Sequence, residues 1–129
     1  ELVFSDPDLL EELESISHPY VIERVKDIIS CLKKSNTDLV LIEIPMLFQS
    51  PHVDLDIFDI IILVQVSKEV QLDRLIERAG LLTQQARKRI ELQSLPQDAE
   101  QRSDYVINTV GNLKETRTRA RKVIEKLLN

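Results

Sequence analysis

Two arginines four positions apart carry the strongest chemical signal in the chain. Arg74 and Arg78 fall within Gln71-Leu72-Asp73-Arg74-Leu75-Ile76-Glu77-Arg78, and a step of four puts both guanidinium groups on one helix face. A guanidinium is a rigid fork of donors that matches phosphate oxygens. It also stacks on flat rings, so such a pair can flank a nucleotide, one member on the base and one on phosphate. The same spacing also describes a solvated surface ladder shared with Asp73 and Glu77. Asn108 and Gly111 form a second candidate. Both residue types tolerate positive φ and close backbone approach, which suits a loop lying against a base or a tight strand-to-helix connection. The run Ile44-Pro45-Met46-Leu47-Phe48 is an apolar loop, fit to line a substrate pocket or to close a core. His18, just before Pro19, can meet a phosphate or orient a substrate, or simply open a helix. Cys31 has no metal-ligand neighbours, and no Ser/His/Asp set or cysteine pair points to acyl transfer or a zinc site.

The elements that must hold these residues alternate between helix and strand. Asp6-Pro7 reads as a helix start, with Asp6 as cap and Pro7 in the first turn, leading to a short helix ending near Ser15. His18-Pro19 reads as a second start. Tyr20, Val21, Val25, Ile28, Ile29 and Leu32 then recur at helical spacing to about Lys34. Residues 39–44, Leu-Val-Leu-Ile-Glu-Ile, lack clean alternation and read as a strand buried on both faces, as in a parallel sheet. Residues 59–66 read as a second strand of that kind. Ser67 is placed to cap a helix over 68–78, Gly80 breaks it, and Thr83 is placed to cap another to about Gln93. Residues 105–107 read as a third short strand. Asn112 and Glu115 form a capping-box pair at the start of the last helix. The pattern predicts an α/β fold with a three-layer parallel sheet, whose ligands bind beyond the carboxyl ends of the strands.

Composition narrows the function classes. The chain has 129 residues, 43% apolar and 30% charged, enough apolar surface for an ordinary core. No apolar run approaches the roughly 18 residues of a membrane span. One cysteine excludes a disulfide framework. The expected setting is cytoplasmic. The net charge is −5, but residues 1–64 hold 13 acids against 4 bases, whereas residues 65–129 hold 9 against 13. Eight of the nine arginines lie in that second half. The acidic total argues against a nucleic-acid binder.

Six segments in order resemble the dephospho-coenzyme A kinase family, P-loop kinases of the nucleoside-monophosphate-kinase type. They are Val3-Phe4-Ser5-Asp6-Pro7, His18-Pro19, Ile44-Pro45-Met46-Leu47-Phe48, Gln71 through Arg78 as quoted above, Arg89-Ile90-Glu91-Leu92-Gln93 and Ser103-Asp104-Tyr105-Val106-Ile107-Asn108. The resemblance implies transfer of the ATP γ-phosphate to the 3′-hydroxyl of dephospho-coenzyme A, with ATP and Mg²⁺ required. It implies that Arg74 stacks on adenine, that Arg78 reaches the phosphates as the catalytic residue, and that Asn108 and Gly111 close the adenine pocket. His18, Pro45, Leu47 and Phe48 would face the acceptor, residues 1–37 would form a helical acceptor-side region, and Arg89 and Gln93 would belong to a lid over residues 78–103. Gln49 stands where the family usually has glutamate. The family's phosphate loop, Gly-x-x-x-x-Gly-Lys-Ser/Thr, has no counterpart here, since Gly80 and Gly111 are the two glycines and neither precedes Lys-Ser or Lys-Thr. The chain starts at Glu1 rather than Met. It is therefore expected to be the C-terminal part of one kinase domain, inactive alone, with phosphate loop and Mg²⁺ ligands upstream. Two other readings stay open: a degenerate module that binds a nucleotide or partner without turnover, and a P-loop kinase for another small acceptor.

Overall fold

The computed structural model describes residues 6–35, 37–45, 47–50 and 53–128. Val3, Phe4, Ser5 and Met46, used in the sequence reading, lie outside them. The chain divides into two compact units, Glu1–Ile57 and Phe58–Asn129.

In the first unit, Asp6 opens helix α1 (Pro7–Lys34) as expected. Its Oδ1 accepts from the backbone N–H of Asp8 at 3.0 Å and of Leu9 at 3.4 Å, satisfying donors that have no partner within the helix. The two helices expected on either side of His18-Pro19 are one, and Pro19 sits inside it. Proline removes a single backbone bond and crowds the preceding turn. Here the Ser15 and Ser17 hydroxyls donate to the carbonyls of Glu12 (2.7 Å) and Leu13 (2.8 Å), an arrangement that bends a helix and eases such crowding. Lys33 and Lys34 occupy the last turn, where the helix dipole favours cations. Ser35 then stops the helix, with its N–H and hydroxyl both donating to Leu32 O at 3.0 and 2.9 Å.

Residues 39–44 form no strand ladder with the described residues, contrary to the buried strand expected, and Leu39, Val40 and Leu41 are 56%, 39% and 83% exposed. An apolar run specifies a buried strand only when another strand lies beside it, and none is paired with it here. A short 3₁₀ turn, Leu55–Ile57, closes the unit.

The second unit holds the sheet. Strands β1 (Ile62–Gln65) and β2 (Tyr105–Asn108) pair in parallel, with Ile62 opposite Tyr105 and Gln65 opposite Asn108. Their carboxyl ends are therefore side by side. At the other end Asp104 stitches the entry: its carboxylate accepts from Ile61 N–H at 2.8 Å, and its own N–H donates to Ile61 O at 2.9 Å. Parallel neighbours need a long crossover. Helices α2 (Lys68–Ala79) and α3 (Thr83–Leu92) supply it, and α4 (Leu113–Leu127) follows β2. Among the described residues the ladder has two strands, and Val64 is 60% exposed.

Helix boundaries follow side-chain chemistry. Ser67 stands at the cap position of α2 but makes no capping bond. Its hydroxyl serves the Glu69 carboxylate instead. At α3 the cap position falls on Leu82 rather than Thr83, and the Gln85 side chain accepts from Leu82 N–H at 3.2 Å. Asn112 and Glu115 do form the expected reciprocal box. Asn112 Oδ1 accepts from Glu115 N–H at 3.0 Å, and Glu115 Oε2 accepts from Asn112 N–H at 2.8 Å.

The core of this unit joins Leu63 and Ile107 from the strands with Ala86, Ile90 and Ala99. The last three lie in the segment expected to be a lid. That segment thus carries apolar packing of its own. Replacing Ile90 with alanine is expected to destabilise the protein by about 2–4 kcal/mol through the cavity left behind, read from the urea midpoint at constant slope.

Candidate functional site

The parallel pairing brings a helix and a loop together at the carboxyl ends of β1 and β2. The loop over residues 108–111 leaves β2 and turns sharply into α4. Its turn is made by Asn108, whose Oδ1 accepts from Val110 N–H at 2.8 Å, and by Gly111, which sits at φ +92°. Thr109 N–H donates to Gln65 O at 2.8 Å, extending the ladder by one bond beyond β2.

Arg74, on α2, reaches this loop. Its Nη1 donates to Thr109 Oγ1 at 3.1 Å and its Nη2 to Thr109 O at 2.6 Å. Both bonds use the edge of the guanidinium plane. The face of that plane is the part that stacks on rings, so an edge-held Arg74 keeps the geometry that base stacking requires. Arg78 lies one helical turn further along α2, exposed, in the last turn before Gly80. Gly80 ends the helix at φ 59°, its N–H donating to Ile76 O at 3.1 Å. Arg74, Asn108 and Gly111 are thus at one end of one sheet, where α/β folds bind ligands, and Arg78 follows one turn along the helix that carries Arg74.

Arg89 and Gln93 end α3, joined through Gln93 N–H and Arg89 O at 3.2 Å. Beyond α3, Ala99 is 2% exposed and the Ser103 hydroxyl donates to Ala99 O at 2.7 Å. The Gln65 side chain donates to the Glu100 carboxylate, joining the end of β1 to the segment expected to be a lid. Near that end, the Glu69 carboxyl is held below the ordinary carboxylate range. Its own backbone N–H is the main cause, followed by the Ser67 hydroxyl, with Lys68 contributing a further favourable charge. A lowered carboxyl of this kind stabilises the fold above its unfolded-state value, and that contribution disappears as pH falls through the folded-state value.

The first unit has its own pocket of about 200 Å³, lined by His18, Val21, Ile22, Ile42, Pro45 and Ser50 among others. His18 Nδ1 lies 3.1 Å from Ser50 Oγ. The structure therefore brings together His18 and Pro45, while Leu47 and Phe48, half-buried in the following turn, do not line this pocket.

Sequence reasoning missed Thr109, which receives Arg74, and Arg119 on α4, whose Nη1 donates to Asn108 O at 2.9 Å and Val110 O at 2.6 Å. In the sequence Arg119 is one of three arginines at alternate positions, 117, 119 and 121. Nothing in that spacing marks the one that turns back to the loop.

Among the described residues, no group of three or more His, Cys, Asp or Glu is placed to hold a metal ion. No helix among them is long and apolar enough to cross a membrane.

A parallel ladder with a helical crossover, carrying Arg74 against a glycine-containing loop at the strand carboxyl ends, defines an α/β protein with a candidate ligand site where such folds bind. Residues 1–115 match the family described as dephospho-CoA kinase. The chain is 36% identical over 115 residues to the dephospho-CoA kinase of Syntrophotalea carbinolica, covering 89% of this chain and 54% of that protein. It is 31% identical to the Listeria monocytogenes dephospho-CoA kinase, over 99% of this chain and 63% of the relative. A crystal structure from Thermus thermophilus aligns with a TM-score of 0.73 at 30% identity, over 99% of this chain and 64% of that one. The dephospho-CoA kinase from Campylobacter jejuni aligns at 0.59 and 25% identity, over 97% and 61%. The chain belongs to the dephospho-CoA kinase family. It spans between about half and two thirds of the length of these relatives.

Proposed function

We propose that this chain is the C-terminal part of a dephospho-CoA kinase domain, which transfers the γ-phosphoryl group of ATP to the 3′-hydroxyl of dephospho-coenzyme A, in the cytoplasm. The observation that carries this reading is the bidentate contact of Arg74 with Thr109. It fixes a cation-bearing helix against the loop at the carboxyl ends of the strands.

In this reading Arg74 presents its guanidinium face to adenine, and the loop over Asn108 and Gly111 covers the base. Arg78, one turn on, reaches the phosphates. Phosphoryl transfer asks mainly for positioning and for cations aimed at oxygens that gain charge, and an exposed guanidinium at the end of a held helix meets both needs. The lid over residues 78–103, bearing Arg89 and Gln93, moves as a packed body about Gly80 and excludes water that would otherwise take the phosphoryl group. The pocket of His18 and Pro45, with Leu47 and Phe48 beside it, receives the acceptor. Bound Mg²⁺ neutralises phosphate charge in such kinases. The described residues supply no cluster for it, so no step is assigned to it here, and its ligands are placed in the part of the domain that bears the phosphate loop.

The test is direct. The full-length protein containing this segment, given Mg-ATP and dephospho-coenzyme A, should yield coenzyme A and ADP in equal amounts, followed by mass spectrometry. Absence of a 3′-phosphorylated product at saturating substrates would end this reading.

A further inference from the structure

We propose that Arg119 is a positioning residue for ATP: with Arg74 it holds the loop over residues 108–111 in its nucleotide-binding shape, and it sets ATP affinity rather than the rate of transfer. The proposal rests on the kinase reading above. Arg119 is half-buried on the second turn of α4. One of its nitrogens bridges two main-chain carbonyls, Asn108 O at 2.9 Å and Val110 O at 2.6 Å. Arg74 takes the carbonyl between them, Thr109 O, at 2.6 Å. Three successive carbonyls of the loop therefore each accept from a guanidinium, with one arginine arriving from α2 and the other from α4.

The loop has few other ties. Thr109 N–H reaches Gln65 O, the Thr109 hydroxyl donates to the same carbonyl at 3.4 Å and accepts from Arg74, and Val110 N–H reaches Asn108 Oδ1, while Asn108, Val110 and Gly111 are exposed. An exposed segment held so lightly samples many shapes, and a ligand that needs one of them loses affinity in proportion to its population. Hydrogen bonds from charged donors are the stronger kind. The two hydrogens of one guanidinium nitrogen lie in a fixed plane, so their bonds to two carbonyls fix the carbonyls' relative orientation, which a lysine's rotating ammonium does less well. Arg119 is not required to start its own helix, because the Asn112–Glu115 box already does that. Its contacts run instead to the loop.

The experiment compares full-length wild type, Arg119→Ala and Arg119→Lys. It measures steady-state constants for both substrates, calorimetric Kd for a non-hydrolysable ATP analogue, thermal unfolding, and hydrogen exchange of the peptide spanning residues 105–112. In Arg119→Ala, the KM for ATP and the analogue Kd are expected to rise about tenfold, the effect of losing charge-assisted bonds. KM for the acceptor and kcat should stay within about twofold, amides in the loop should exchange faster, and Arg119→Lys should recover part of the affinity. An unchanged analogue Kd with unchanged loop exchange would overturn the proposal. So would a parallel loss of both affinities and kcat together with a lowered unfolding temperature, the mark of a merely structural role. A wild type that binds the analogue yet phosphorylates no dephospho-coenzyme A would remove the kinase reading alone, and the Kd ratio would still decide Arg119.

Discussion

Replacing Arg78 with alanine in the full-length protein is expected to lower kcat by about 10³-fold, the scale of a transition-state arginine in phosphoryl transfer. The KM for ATP should move far less. The reasoning starts from what Arg78 does not do. It is exposed in the last turn of α2, and no side-chain hydrogen bond or ion pair joins its guanidinium to another described residue. Its loss should therefore shift stability by no more than about 0.5 kcal/mol, as for other surface substitutions. Arg74, by contrast, is anchored on Thr109 by two bonds, so α2 is fixed at the loop while the residue one turn on stays available for a ligand. Charge alone is not the whole requirement. Arg78→Lys keeps the charge and loses the fork, so its kcat should fall between the two. Steady-state turnover at saturating ATP and acceptor, with thermal unfolding measured alongside, separates catalysis from folding. An alanine variant that turns over like wild type would remove Arg78 from the mechanism.

The sequence made local decisions legible and left non-local ones hidden. Asp6 before Pro7, the Asn112–Glu115 pair and Gly80 after α2 each act within a few residues, and each appears as expected. Strand β1 lies inside the range expected for it and β2 runs one residue past its own, because short apolar runs between turn residues have few other uses. Pro19 misled because a helix-breaking residue reports a local penalty, whereas continuity of α1 depends on the turns on both sides and on two serine hydroxyls. Residues 39–44 misled for the opposite reason. Their composition suits a buried strand, but strand pairing is a property of the neighbour. Serine commonly caps a helix, but the Ser67 hydroxyl goes to the Glu69 carboxylate two residues on. At the site, the spacing of Arg74 and Arg78 and the Asn108–Gly111 turn could be read directly. That Arg74 would meet Thr109, and Arg119 the carbonyls on either side of it, could not, since those contacts span 35 and 9 to 11 residues.

Gly111→Ala should be the most damaging single change in the loop, for two linked reasons. At φ +92° a side chain is strained wherever it points, and here a Cβ would sit 1.9 Å from Glu115 Oε2. That carboxylate oxygen is the one that accepts from Asn112 N–H at the start of α4. The alanine must therefore either distort the loop or evict Glu115 and break half of the capping box. Strain of about 1–3 kcal/mol and a cap loss of about 1 kcal/mol put the expected destabilisation on the order of 2–4 kcal/mol. Because the same distortion carries Asn108 to Val110 away from Arg74 and Arg119, ATP binding should weaken with it. The two costs can be separated by a cycle. Glu115→Ala removes the obstructing carboxylate as well as the cap, so Gly111→Ala made in that background retains the backbone strain but not the collision. The double variant should then be more stable than the sum of the single losses implies, by about 1 kcal/mol or more, the coupling typical of residues in contact. Urea midpoints of the four proteins decide it. Strict additivity would show that Glu115 does not press on residue 111, and an undiminished midpoint for Gly111→Ala alone would show that the turn does not need glycine there.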